Sequence, residues 1–179
     1  MNLQKKYKKE IVIAMKKKFG YKNDLAVPRV VKAVVNVGFG GKNKEKEFID
    51  NVVDSLARIT GQKPVFTRAK KAIASFKTRK GMIIGAVITL RGKRMYDFME
   101  RLINISFPRV RDFRGLSEKQ VDARGNLMIG FRENLAFPEI SADELENTHG
   151  LEVCLPTTAE TRGEGLELFK LFGFPFKKE

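Results

Sequence analysis

Across residues 55–96 the chain carries eleven Lys and Arg side chains and not one Asp or Glu. Six of them (Arg68, Lys70, Lys71, Lys77, Arg79 and Lys80) fall within TRAKKAIASFKTRKGMIIG, residues 67–85. Like charges at that density repel one another, so the segment is suited to a polyanion that neutralises it. Ala72, Ile73, Phe76, Met82 and Ile83 are interleaved with the charges, a share of apolar residues at odds with simple disorder. The segment must therefore be carried by a packed domain, and we expect its apolar side chains to rest on that domain when no polyanion is bound.

The basic excess runs through much of the chain. Its 179 residues include 35 Lys and Arg against 21 Asp and Glu, a formal net charge of +14, which favours nucleic acid or an anionic membrane surface as partner. The signs are segregated: residues 1–32 carry a net +8 and residues 133–167 a net −8. A protein needing only solubility would mix them. With 42% hydrophobic residues the chain is long enough for a single domain, residues 1–179, with a real core. One cysteine, Cys154, and one histidine, His149, exclude an internal disulfide and any Cys- or His-rich metal site, and point to a reducing compartment. No apolar run is long enough to span a membrane, and MNLQKKYKKE lacks the apolar core of a signal peptide, so a soluble intracellular protein is expected.

Hydrophobic periodicity sets the element order. Leu3, Tyr7, Ile11, Met15 and Phe19 repeat at four with Lys between them, a helix over residues 3–19 closed by Gly20. RVVKAVVNVGFGG reads as a strand. Phe48, Ile49, Val52, Val53 and Leu56 form the stripe of a second helix, residues 45–60, ended by Gly61. KPVFT and GMIIGAVITLRG are a short and a longer strand, and KRMYDFMERLINI a helix with Met95, Phe98, Met99 and Leu102 on one face. After Pro108 we expect an arginine-rich loop, PRVRDFRG; then come strands in NLMIGF and LEVCLPT, and a last helix in GEGLELFKLFG. This order predicts a two-layer α+β fold, with a mixed or antiparallel sheet, helices on one face and a polar other side.

Strand side chains alternate between faces. In the first strand Lys32 and Asn36 share a face opposite Val31, Ala33, Val35 and Val37; in the longer one Thr89 and Arg91 share a face opposite Ile88 and Leu90. An Asn, a Thr and an Arg on a rigid sheet can bond sugar hydroxyls, phosphates and base edges.

Other chemistries fit less well. NVGFGGKNK follows a strand and precedes a helix, but Asn43 stands where a dinucleotide fingerprint needs Gly and a phosphate-binding loop needs Ser or Thr. A phosphate-handling enzyme built on that turn also lacks a base or metal set. His149 and Cys154 match no nucleophilic signature; LEVCL reads as a strand with Cys154 as a small core residue. Glu139, Asp143, Glu144 and Glu146 match no Ca²⁺ loop, and ISADELEN is better read as a short helix capped by Ser141. The amphipathic N-terminal helix could lie on a membrane, although such a stripe more often docks on its own core. No enzyme activity, metal or cofactor is expected.

One family shares these features. TRAKKAIASFKTRKGMIIGAVITLRGKRMYDFMERL, followed by FPRVRDFRG, resembles the universal large-subunit ribosomal protein family that binds 5S ribosomal RNA, bacterial type. NVGFG, GQKPVFT, FPEI, TTA and the closing GFPF extend the resemblance in order over nearly the whole chain; GFREN and TRGEG depart from the family's pattern. The resemblance implies a structural constituent of the ribosome's central protuberance, cytoplasmic or in a bacterial-type organelle, with no cofactor. Its implied partners are 5S rRNA, large-subunit rRNA, P-site tRNA and a small-subunit head protein. It also implies that Lys32, Asn36, Gln62, Lys63, Thr89 and Arg91 face rRNA. The tRNA-facing loop would hold Arg68, Lys70, Lys71, Ser75, Phe76, Lys77, Thr78, Arg79 and Lys80, and Arg109, Arg111 and Arg114 would meet the small subunit. A stand-alone RNA-binding protein, not permanently in the ribosome, is the alternative; a DNA-binding or membrane-surface protein is a more distant one.

Overall fold

Five strands, β1 Ala33–Gly38, β2 Val65–Arg68, β3 Ile83–Leu90, β4 Leu127–Phe131 and β5 Leu151–Leu155, form one open sheet in the order β2-β3-β1-β5-β4. The computed structural model describes residues 3–40, 45–140 and 148–177. Among these are four helices: α1 (residues 3–19), α2 (Lys46–Thr60), α3 (residues 92–109) and α4 (Arg162–Phe172). β2 and β3 pair antiparallel, Val65 opposite Val87 and Phe66 opposite Ala86. Burial alternates as expected for a two-layer α+β protein. Ala33, Val35, Val37, Ala86, Ile88, Leu90, Leu127, Ile129, Phe131, Leu151, Val153 and Leu155 are buried, while Asn36, Thr89, Met128 and Glu152 between them are partly or fully exposed. Residues 41–44 and the ISADELEN helix expected over residues 140–147 lie outside the described residues, except Ile140.

The chain divides into two compact units, whose boundaries fall within β1, β4 and β5 and at the last residue of β3. The first comprises Met1–Ala33, Leu90–Ile129 and Cys154–Glu179. Its α1 buries Leu3, Ile11, Val12 and Met15, so the stripe docks on the unit's own core. A repeat of four is longer than the 3.6 residues of an α-helical turn and would drift around the helix. The chain corrects the drift with a wider π turn, Tyr7–Ile11, in which the Val12 amide reaches back to the Tyr7 carbonyl. Tyr7 then stacks on Phe172 of α4, ring centroids 5.9 Å apart.

A second π turn, Leu102–Ser106, carries α3 through Pro108 to Arg109. The helix expected over residues 93–105 therefore runs four residues further. Proline lacks an N–H and crowds the carbonyl four residues back, and the widened turn just before it relieves both constraints. Phe107 packs on Phe113 and Phe174, and Phe174 on Phe169. The closing GFPF is further tied by the Leu116 amide donating to the Pro175 carbonyl at 2.7 Å and the Lys177 amide donating to Leu116 at 2.9 Å. Cys154 corrects another expectation: it is half-buried and alternates away from the buried Val153 and Leu155, because period two sends it to the opposite face.

The second unit comprises Val34–Thr89 and Gly130–Val153. Val52, Leu56 and Ile59 of α2 are buried there, and Gly61, at φ +69°, closes the helix in the left-handed conformation that glycine adopts without strain. His149 also lies within this unit. It is buried edge-on to Phe48, with Nε2 2.8 Å from Ser55 Oγ and Nδ1 3.2 Å from the Gly150 carbonyl. Burial holds its pKa below the ordinary histidine value, against the opposing pull of the Gly150 carbonyl.

Candidate nucleic-acid interface

On the open side of the second unit's sheet, β1 places Asn36 between buried Val35 and Val37, and β3 places Thr89 between buried Ile88 and Leu90. Both side chains are half-buried, and β1 and β3 are neighbours in the sheet. Gln62 arrives from a different element. The left-handed turn at Gly61 redirects the chain after α2, and Thr60 Oγ1 donates to the Leu56 carbonyl at 2.7 Å and lies 3.3 Å from the Gln62 amide nitrogen. From there Gln62 Nε2 donates to the Thr89 carbonyl at 3.5 Å. One amide hydrogen is thereby occupied, and the side-chain carbonyl and second hydrogen remain available to a ligand. Lys63 is exposed beside it.

Two of the expected RNA-facing residues belong to the first unit. Lys32 precedes β1, whose regular alternation begins only at Ala33; Val31, expected to be buried, is 45% exposed. Arg91 lies one residue beyond β3 and is the N-cap of α3, fully outside the strand alternation that had paired it with Thr89. The open face also has an aliphatic component beyond the polar residues expected there. Val65 and Val87 sit opposite each other there, on the side taken by Thr89, and period two alone identifies them.

The basic stretch forms the turn of the β2–β3 hairpin and has its own ladder. Ala69 donates to the Met82 carbonyl at 2.8 Å and Gly81 to Ala69 at 2.9 Å, while the Arg68 guanidinium caps the Gly81 carbonyl at 3.1 Å. Further out Ile73 and Thr78 exchange both backbone bonds at 3.2 Å, and the Lys77 amide closes the tip on Ala74 at 3.0 Å. Lys77 takes φ +52°, a left-handed conformation uncommon for a side-chain-bearing residue, to complete that turn. Among the described residues Lys70, Lys71, Lys77, Arg79 and Lys80 have no acidic partner, and with Ser75 they are exposed. Phe76 is 74% exposed and Ile73 45%, so the apolar side chains of the tip do not rest on the domain as expected. A shallow concavity lined by Ala74, Lys77, Thr78, Arg79 and Met82 lies on the hairpin.

In the first unit Arg109 ends α3 exposed, and Arg111 and Arg114 are exposed on a turn shaped by Asp112 (φ +52°) and Gly115 (φ +91°). Among the described residues no group of His, Cys, Asp or Glu could hold a metal ion, and no helix is long and apolar enough to cross a membrane.

A sheet face carrying Asn36 and Thr89 and a hairpin of exposed cations without acidic partners among the described residues define the class first: an α+β protein complementary to a polyanion. Residues 23–79 match the family described as Ribosomal protein L5, and residues 83–176 match the C-terminus of the same ribosomal family. The chain is 53% identical over 176 residues to the "Large ribosomal subunit protein uL5" of Halothermothrix orenii, covering 98% of each. It is 52% identical over 177 residues to the protein of that name from Thermosipho melanesiensis, covering 99% of this chain and 97% of the relative. It is 49% identical to that from Thermoanaerobacter sp. over 98% of each chain. The chain belongs to the ribosomal protein L5 family, a structural rather than an enzymatic one.

Proposed function

We propose that this chain is a constituent of the large ribosomal subunit that binds 5S rRNA with its open sheet face and anchors it in the central protuberance. The β2–β3 hairpin reaches P-site tRNA, and Arg109, Arg111 and Arg114 meet a protein of the small-subunit head. The observation carrying this reading is the set of polar groups Asn36 and Thr89 on the sheet with Gln62 bonded to Thr89 beside it, next to a 42-residue acid-free segment that includes Gln62 and Thr89, within a chain of this family.

Binding without chemistry follows from those parts. Lys and Arg neutralise phosphates and release counterions, giving an affinity that falls with salt by a log–log slope of roughly 0.7–0.9 per phosphate. Asn36, Gln62, Thr89 and Arg91 set register, because a buried polar group left unpaired costs about 1–3 kcal/mol. Folded RNA is then chosen by shape and by its 2′-hydroxyls more than by base sequence. Sedimentation of cell extract tests the assignment: the chain should travel with the large subunit and with 5S rRNA. Recovery in free fractions under conditions that keep subunits intact would favour the stand-alone alternative.

A further inference from the structure

The hairpin tip exposes a large aromatic side chain among cations that lack acidic partners among the described residues. Phe76 is 74% exposed on a turn fixed by the reciprocal Ile73–Thr78 bonds and the Lys77–Ala74 closure, so its backbone is held in place before any partner arrives. An isolated phenyl ring in water gains nothing from its exposure, and charge repulsion keeps the tip from burying it against a second copy of the same hairpin. The partner that satisfies both the ring and the charges has a flat apolar face and a phosphate backbone. A nucleobase displayed by an RNA loop has both. A base inside a duplex does not, since its faces are already stacked.

We infer that Phe76 stacks on an unpaired nucleobase, which makes the tip a reader of looped RNA in addition to an electrostatic contact. The inference rests on the reading that the hairpin meets an RNA. The concavity lined by Lys77, Thr78 and Arg79 on the same hairpin supplies donors for the neighbouring phosphate. Lys77 and Arg79 alone would bind duplex and loop equally; the ring separates them.

The test uses the full-length protein and two stem–loop RNAs, one with a single 5-iodouridine in the loop and one with it in the stem. Irradiation links iodouridine to an aromatic ring stacked on it, and mass spectrometry of the digested adduct locates the residue. The expected adduct is on Phe76, from the loop probe only. Phe76→Ala should weaken loop-probe binding by roughly ten-fold and leave stem-only duplex binding unchanged, with Phe76→Tyr close to wild type. No Phe76 adduct, together with wild-type loop binding by Phe76→Ala, overturns the inference. A combined Lys77→Ala, Arg79→Ala, Lys80→Ala variant separates the two levels. If it weakens RNA binding while Phe76→Ala does not, stacking fails and the hairpin stays an RNA surface; if neither weakens it, the hairpin reading fails as well.

Discussion

The open sheet face and the β2–β3 hairpin belong to the same unit and are built in contrasting ways. The face holds uncharged donors and acceptors, Asn36 and Thr89 on strands whose other side is core and Gln62 on the turn after α2, oriented by its bond to Thr89. The hairpin holds cations and an exposed ring on a short ladder with little packed beneath it. Hydrogen bonds from fixed positions discriminate by geometry, whereas exposed charges attract any phosphate and weaken with salt. On the proposed function, one chain would thus hold one RNA in register and touch another loosely.

The largest expected effect removes both regions together. Gly85 lies where the hairpin joins the sheet, and a Cβ there would stand 2.6 Å from the Val37 carbonyl oxygen and 2.9 Å from Thr67 Oγ1. The first of these is backbone, which cannot swing aside. Gly85→Ala should cost about 2–4 kcal/mol in urea unfolding and impair both RNA contacts. A stability equal to wild type would show that β1 and β3 can separate at no cost.

Separating the two regions comes next. Replacing Lys77, Arg79 and Lys80 by Ala should lower the salt slope for the second RNA by roughly 2–3, with 5S rRNA affinity nearly unchanged. Gln62→Ala should do the reverse, costing roughly ten-fold in 5S rRNA affinity with no change in slope. Arg91→Ala, with the fold intact, should lose affinity and lower the slope by about one, since it removes both a charge and a register contact. Equal slopes for Gln62→Ala and Arg91→Ala would erase that distinction.

The smallest effect concerns the packing of α2 against His149. His149 is favoured neutral in the fold, its pKa held below the 6.5 of an ordinary histidine by burial. Its contribution is therefore complete above that value and is lost as pH falls below it, when the unfolded chain takes up the proton more readily. Stability should decline on acidification from near neutrality, and His149→Gln should flatten that decline. An identical pH profile for the variant would remove His149 as the cause.

Much of this architecture was legible in the sequence, because period two and the helical stripes report burial directly. The strand alternation at Val35, Asn36, Val37, Ile88, Thr89 and Leu90 came through intact. Departures arose where backbone geometry overrode pattern. The repeat of four in α1 marked a helix, yet nothing in it said that a π turn would absorb the drift. The helix expected to end at Ile105 continues through a π turn and past Pro108 to Arg109, which no periodicity in the sequence marked. Phe76 and Ile73 are expected from composition to fold back, but composition does not report the exposure that the hairpin leaves them. The Gln62–Thr89 bond joins a helix exit to a strand 27 residues later, a juxtaposition that only the fold supplies.

The central claim is that register on 5S rRNA comes from the sheet face and not from the denser charge of the hairpin. Filter binding of 5S rRNA to two triple variants tests it most directly: Asn36, Gln62 and Thr89 replaced by Ala, against Lys77, Arg79 and Lys80 replaced by Ala. The account predicts a loss of more than roughly ten-fold for the first and almost none for the second. The opposite order, with the hairpin variant losing 5S rRNA and the sheet variant retaining it, would contradict the account.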